Sequence, residues 1–286
     1  MITVYFDRNV FADICELRNN LTNDDVEIIK QAIDSGKISI PMSSALLAET
    51  AAVLQESSVK FKQHINTFFS LIDKKRIVKQ PDDLLRDDCV SFAYLAPYQR
   101  TLAISDIGRK HINSPKINNR WILLSKKHHP AIKNSVKNIN DAILFWRDER
   151  ERKNIKTSDD FIEVWEEYSP KLIERLLKEL PSDVKTLCKN HGIQNMLKIR
   201  SIRLYTTYYS WILFSGLGGV QGNPKNLQAG DFMDFIHTIQ ASVATIFVTQ
   251  ENKEKANKIP FILNKLPFSD LKTINIGEFL KFIKSL

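Results

Sequence analysis

The sequence predicts an α/β protein in which both ends of the chain build one parallel sheet. Short runs of β-branched and aromatic residues alternate with helical patterns near the N-terminus, and the same alternation returns near the C-terminus. A long stretch of helical spacing separates these two regions. We therefore expect a core of residues 1–56 and 229–286, with a mostly α-helical insertion at 57–228.

Four elements alternate in the N-terminal part of the core. They are a strand at 2–6, a helix at about 23–36, a strand at 37–40 and a helix at about 43–56. The sequence ITVYF is typical of a buried strand, and Ser43 or Ser44 is a suitable N-cap for the second helix.

The insertion follows helical spacing from residue 57 to residue 215, as at Phe61, Ile65 and Phe68. We expect Pro170 to interrupt one of its helices and an amphipathic helix to cover 193–214. The Gly-rich stretch 215–224 predicts a linker. It lacks the Gly-Lys-Ser/Thr ending of a phosphate-binding loop, so we do not expect it to hold phosphate.

Strands and helices alternate again after this linker. The expected elements are a helix from 230 to 243, a strand at 244–248, a short basic helix, a strand at 272–276 and a helix at 279–283.

Composition narrows the class of protein. The 286 residues carry 41 Lys and Arg against 33 Asp and Glu, a net charge of +8, which favours an anionic partner. Three scattered cysteines do not predict a disulfide framework or a zinc site. Because there is no apolar run of about 18 residues and no signal-peptide pattern, we expect a cytoplasmic protein with no membrane partner.

Carboxylates follow or flank several of the predicted strands. Asp7 follows the first strand, Glu49 lies on the helix after the second, Asp234 precedes the third, and Glu251 follows it. Ligands of open parallel sheets bind at the carboxyl ends of the strands, where these acids can meet. A cluster of carboxylates requires cations, and oxygen ligands suit Mg²⁺ or Mn²⁺. Such ions promote in-line attack of water on a phosphodiester.

The order of these residues resembles the PIN-domain nuclease family. Asp7-Arg8-Asn9-Val10 is similar to its opening Asp-x-Asn, and Glu49 stands where its second acid follows a strand. Asp234-Phe235-Ile236-His237 resembles its third-acid helix, including the Asp-x-x-His form of a subset of members. Residues 246–251 are similar to its strand followed by Thr-x-Asp, except that Glu251 replaces the usual Asp.

The resemblance covers both ends of the chain and implies a three-layer α/β/α fold. It also implies an endoribonuclease that uses Mg²⁺ or Mn²⁺ and leaves 5′-phosphate and 3′-hydroxyl ends. Asp7, Glu49 and Asp234 would then be the catalytic, metal-binding acids and Glu251 a fourth ligand, while Asn9 and Thr249 would shape the site. Many members are toxins with an antitoxin protein as partner, and others process RNA or cut DNA flaps.

Several of these residues have structural alternatives. Asp231 is suited to cap the helix that begins at Gly230, although it is close enough in sequence to support the metal shell. Thr249 can cap a helix in which Glu251 occupies the first turn. His237 is one turn from Asp234, so it is a supporting partner, a general acid or a buried structural histidine. We do not expect His128-His129 to bind metal, because no acid lies nearby in sequence.

A basic segment at 109–137 is the candidate surface for nucleic acid. It contains eight Lys and Arg residues and no Asp or Glu. The residues that we assign to nucleic-acid binding are Arg109, Lys110, Lys116, Arg120, Trp121, Lys126 and Lys127. The alternative is a solvated surface with Trp121 in the core.

Three functions therefore follow from the sequence. The leading hypothesis is a metal-dependent endoribonuclease that acts on single-stranded or structured RNA, with an antitoxin or a second copy of the chain as possible partners. The second is a degenerate PIN-like module that binds RNA or protein without cutting. The third is a DNA nuclease in defence against mobile elements.

Overall fold

A four-stranded parallel sheet forms the centre of the computed structural model, which describes residues 1–97, 101–103, 119–154, 160–217, 226–250, 263 and 271–286. Its strands are β1 (Ile2–Phe6), β2 (Ile38–Ser39), β6 (Ile246–Val248) and β7 (Lys272–Ile274). They lie in the order β2-β1-β6-β7, so both ends of the chain contribute to one sheet, as the sequence predicted. The described chain is otherwise mostly helical, which makes it a mixed α/β structure.

Both faces of this sheet are buried. Tyr5 and Phe247 are adjacent in the register and point into one core, whereas Val4 and Phe6 point into the other. This follows from the two-residue period of a strand. A strand that is buried on both faces has a continuous apolar sequence, which is why ITVYF shows no polar alternation.

Helices cover each face. On the Phe6 side lie α1 (Arg8–Glu16), α2 (Asn23–Asp34), α4 (Ser58–Leu71) and α11 (Ile276–Lys284). On the Tyr5 side lie α5 (Pro81–Tyr94), α7 (Phe161–Lys178), α8 (Ser182–His191), α9 (Arg200–Gly216) and α10 (Ala229–Gln240).

Two further helices complete the arrangement around the site. Helix α3 (Ser44–Ala52) begins with Ser43 as N-cap, whose Oγ accepts a hydrogen bond from the backbone N–H of Leu46 at 3.1 Å. Helix α6 (Asn119–Arg152) is 34 residues long, about 50 Å, and contributes side chains to both cores. The segment 57–228 therefore packs directly on the sheet, sharing one core with Tyr5 and Phe247.

The described part of the segment between 57 and 215 is mostly helical, but it contains two strands that the sequence did not predict. A second sheet pairs β3 (Pro41–Met42) in parallel with β4 (Asp73–Val78), which pairs antiparallel with β5 (Thr101–Ala103). Since β4 reads DKKRIV, only its last two residues are apolar, and pairing partners distant in sequence decide its conformation.

Three helix predictions also need correction. Helix α1 begins directly after Asp7, whereas no helix was expected there. Helix α7 continues through Pro170, because its apolar face is buried on both sides of the proline. The predicted amphipathic helix at 193–214 is a 3₁₀ helix at Ile193–Lys198 followed by α9, which is buried on nearly all sides by its helical neighbours.

Within the described ranges, no helix combines the length and the apolar character that crossing a membrane requires.

Candidate carboxylate site

The site lies at the point in the sheet where the order of the strands reverses. Strands β1 and β6 are neighbours, and the strands that follow them in the chain lie on opposite sides of this pair. In open α/β sheets, this arrangement leaves a crevice at the carboxyl ends of the two central strands. Asp7 follows β1 and Thr249 follows β6, and the backbone N–H of Asp7 donates to the carbonyl of Val248 at 3.1 Å.

The carboxylate of Asp7 is fixed by two hydrogen bonds and is only 4% exposed. Its Oδ1 accepts from the backbone N–H of Val10 at 2.8 Å, which makes Asp7 the N-cap of α1. Its Oδ2 accepts from the hydroxyl of Thr249, whose own backbone N–H donates to Ile274 at 2.9 Å. Thr249 therefore orients the carboxylate of Asp7.

Glu49 and His237 form a buried pair across the crevice. Glu49 Oε2 lies 2.6 Å from Nε2 of His237, although the two residues are 188 positions apart. The side chain of Glu49 is 14% exposed and that of His237 is 2% exposed. This contact joins helix α3, which carries Glu49, to helix α10, which carries His237.

A network of neutral side chains holds the other side of the His237 ring. The hydroxyl of Tyr5 lies 2.8 Å from His237 Nδ1 and 2.8 Å from Ser43 Oγ. Gln240 Oε1 accepts from Ser43 at 2.9 Å and from Tyr5 at 3.3 Å. Burial raises the pKa of Tyr5 well above its ordinary value, so its hydroxyl keeps its proton and remains a donor.

The three predicted acids act together on His237. Burial alone would lower the pKa of His237, but the charge of Glu49 and its hydrogen bond, with the charges of Asp7 and Asp234, outweigh burial. The pKa of His237 is therefore raised. A protonated ring donates from Nε2 to Glu49 and from Nδ1 to Tyr5, so it supplies the positive charge that a cluster of acids requires.

Asp234 lies one helical turn before His237 on α10. Asp7, Glu49 and Asp234 come from three different elements, and the charge of each acts on this one histidine, whereas the hydrogen bond joins it to Glu49. His237 is buried and hydrogen-bonded to Glu49 and Tyr5, as expected both of a supporting partner and of a structural histidine.

Two of the predicted supporting residues, Asn9 and Asp231, take no part in the hydrogen bonds of the acids described above. Asn9 is exposed on α1, and Asp231 accepts from the backbone N–H of Gln228 at 2.9 Å as the third residue of a capping box. Asp231 is therefore a capping residue, although not the N-cap itself.

Four of the predicted residues lie outside the described residues: Arg109, Lys110, Lys116 and Glu251. The side chain of Arg120 is likewise outside them, whereas Lys126 and Lys127 are exposed on α6.

The prediction that Trp121 stacks on nucleic acid is not supported by its position. Its side chain is 4% exposed and packs against Phe61, with ring centroids 5.4 Å apart. A ring buried in the core offers no face to a base, so the structural alternative for Trp121 is the one observed.

Sequence reasoning missed the residues that orient His237. Tyr5 was assigned to the apolar strand, and Gln240 was not considered. The available signal was the tyrosine in ITVYF, because a buried tyrosine hydroxyl needs a polar partner.

The carboxylate oxygens of this site are suitable ligands for a hard divalent ion that is held by few protein side chains. In the part of the chain that the structure describes, no three His, Cys, Asp or Glu side chains are grouped closely enough to hold one metal ion. Mg²⁺, however, keeps several waters and is usually bound by one or two carboxylates together with substrate phosphates. Glu49 and Asp234 are partly exposed and Asp7 is buried and fixed, an arrangement that fits this mode of binding and is not a closed cage.

Comparisons of the chain with family models, curated proteins and solved structures find no match. The resemblance to PIN-domain nucleases therefore rests on the residues and their arrangement.

Proposed function

We propose that this protein is a Mg²⁺- or Mn²⁺-dependent endonuclease that hydrolyses RNA, with a PIN-type site at Asp7, Glu49 and Asp234. One observation carries the proposal: His237 is hydrogen-bonded to Glu49 and to Tyr5, on the strand that ends just before Asp7, and the charges of all three acids act on its ring. A buried acid at the ligand-binding edge of a parallel sheet, such as Asp7, points to a functional site.

Asp7 is the best-oriented metal ligand in this proposal. Its two hydrogen bonds fix the carboxylate before any ion binds, so little ordering remains to be done on binding. Asp234 and Glu49 would complete the set, with Glu251 as the fourth acid that the resemblance implies. The bound ion would lower the pKa of a coordinated water and stabilise charge on the phosphate.

The charge of the protein supports an anionic polymer as substrate. The net charge is +8, and Lys126 and Lys127 are exposed on the helix that packs beside the site. RNA is the preferred substrate because the family resemblance favours it, and an antitoxin or a second copy of the chain belongs to the same proposal.

Cleavage of a labelled single-stranded RNA in Mn²⁺ tests this function directly. We expect wild-type protein to cut the RNA, and Asp7→Asn or Asp234→Asn to lose at least about a hundredfold in rate. Asp24→Asn is the matched control, because Asp24 is an exposed acid in the first turn of α2. Equal rates in all four proteins would refute the proposal, and a matched DNA strand separates ribonuclease from deoxyribonuclease activity.

A second candidate is a binding module that does not cut. It is favoured by the Glu49–His237 ion pair, which occupies one of the acids without any metal. A thermal melt in Mn²⁺ discriminates, since an ion that binds the native state at 100 times its Kd stabilises it by about 2.7 kcal/mol. No shift in Tm together with retained RNA binding would favour the binding module.

A further inference from the structure

Three helices meet beside the carboxylate site at a small apolar cluster. Ala45 from α3, Ile132 from α6 and Met233 from α10 are each buried there against one another. Helix α6 packs against both α3 and α10 at this junction. The long helix from the middle of the chain is therefore part of the wall of the site.

One turn from this cluster, each helix carries a residue with a polar or charged side chain. The residues four positions away on the same helix faces are Glu49 on α3, His128 on α6 and His237 on α10. Glu49 and His237 are in contact, as described above.

The register of α3 and α6 supports the position of His128. Beyond Glu49 in the chain, Gln55 donates from Nε2 to the backbone carbonyl of Ser125 at 2.5 Å. The two helices therefore run antiparallel. Ala45 packs with Ile132 at one level and Gln55 bonds to Ser125 at another, so Glu49 and His128 face each other at the level between them.

The electrostatics of His128 give the same position independently of the register. The charge of Glu49 raises the pKa of His128 and the charge of His237 lowers it, so the ring is near both. Burial is the largest influence and leaves the pKa of His128 lowered overall. His128 is thus neutral at neutral pH and has one N–H to donate.

The imidazole of His128 is partly exposed rather than enclosed. Within the described part of the chain its ring contacts that of His129, with centroids 5.6 Å apart, and no hydrogen bond joins it to another described residue. The half-buried imidazole N–H of His128, near the carboxylate of Glu49, is therefore available to donate to a ligand.

We propose that His128 is a substrate-binding residue of the carboxylate site and donates a hydrogen bond to a phosphate group of the nucleic acid. This deepens the proposed function and rests on it, because it assigns the inserted helix α6 a direct role in holding the substrate.

The phosphate is the part of the substrate that fits this position. The cut bond must lie beside the metal-binding acids, so a neighbouring neutral donor meets phosphate oxygens before it meets a base.

The test is binding of a short fluorescent single-stranded RNA by the full chain in EDTA, where no metal binds and no cleavage occurs. His128→Leu removes the donor and is expected to weaken binding about tenfold. His128→Gln keeps a neutral donor and is expected to retain most of the affinity. His129→Leu is the matched control, because His129 is exposed on the adjacent position of the same helix.

Each outcome decides the proposal. A selective loss of RNA affinity in His128→Leu supports the proposal, whether or not RNA is cut in Mn²⁺. In the other proteins, inorganic phosphate is expected to compete with the RNA for binding. If the wild type binds no RNA, or if His128→Leu and His129→Leu behave alike at equal Tm, the proposal fails. Should His128→Leu not fold, the comparison is made with His128→Ala and His129→Ala: a selective loss of about tenfold in His128→Ala supports the proposal, and equal affinities refute it. Absence of cleavage alone refutes only the proposed function.

Discussion

The Nδ1 atom of His237 lies 2.8 Å from the hydroxyl of Tyr5, across 232 positions of sequence. This contact connects the first strand of the sheet to the helix that carries Asp234. It also fixes the ring so that Nε2 points at Glu49, 2.6 Å away. The arrangement of the acids therefore depends on a neutral network that does not itself bind the proposed ion.

Removing the Tyr5 hydroxyl tests this dependence. Tyr5→Phe leaves His237, Ser43 and Gln240 without their shared partner in a buried position. We expect a loss of about 1–3 kcal/mol in the free energy of unfolding, measured by urea denaturation. Tyr94→Phe is the control, because the Tyr94 side chain is exposed and we expect little change. Equal stability of Tyr5→Phe and wild type would show that the network contributes nothing.

The His237–Glu49 pair predicts a pH dependence of stability. Because the pKa of His237 is raised in the folded protein, its stabilising contribution is complete below the unfolded value of about 6.5 and is lost as pH rises through the folded pKa. His237→Gln should therefore cost most at about pH 5.5 and progressively less at higher pH. Thermal melts of both proteins across this range measure the difference, and a constant difference would contradict the raised pKa.

Thr249→Val tests the orientation of Asp7. The substitution removes the hydroxyl that donates to the buried carboxylate of Asp7 and leaves the side-chain volume nearly unchanged. We expect about 2 kcal/mol of destabilisation, which is typical of a lost hydrogen bond to a charged group. We also expect weaker Mn²⁺ binding, by isothermal titration. Thr186→Val on the exposed face of α8 should change neither quantity, and the same effect in both variants would contradict the account.

Salt dependence tests whether the exposed lysines of α6 contact RNA. Neutralising Lys126 and Lys127 with Gln should lower the slope of log K against log salt by about 1.4, since each phosphate contact on a single strand contributes about 0.7. Anisotropy titrations at several salt concentrations give this slope. The double variant of Lys185 and Lys189 on α8 is the control, and equal slopes in the two variants would exclude a phosphate role for the α6 pair.

The sequence predicts the part of the site that depends on local rules. Asp7 follows a strand of mostly apolar residues, Ser43 is a typical N-cap, and Asp234 and His237 share a helix face by simple spacing. Because parallel strands align their carboxyl ends, the position of Asp7 beside Thr249 could be inferred without coordinates.

The remaining features depend on contacts between distant parts of the chain. His128 was set aside because no acid is near it in sequence, yet the antiparallel packing of α3 and α6 brings Glu49 to it. Trp121 lies in a basic segment, but the period of α6 turns it inward against Phe61. Strand β4 has weak apolar alternation, and its partners β3 and β5 decide its conformation. Tertiary packing therefore overrides the local signal in all three cases.

Paramagnetic broadening of histidine ring signals by Mn²⁺ tests the central claim most directly. If the acids bind one ion, Mn²⁺ should broaden the NMR signals of His237 and His128 and leave those of His191, on α8, sharp. Asp7→Asn should abolish this broadening while the fold remains intact. Sharp His237 signals at saturating Mn²⁺, or identical broadening in Asp7→Asn, would contradict a divalent-cation site at these carboxylates.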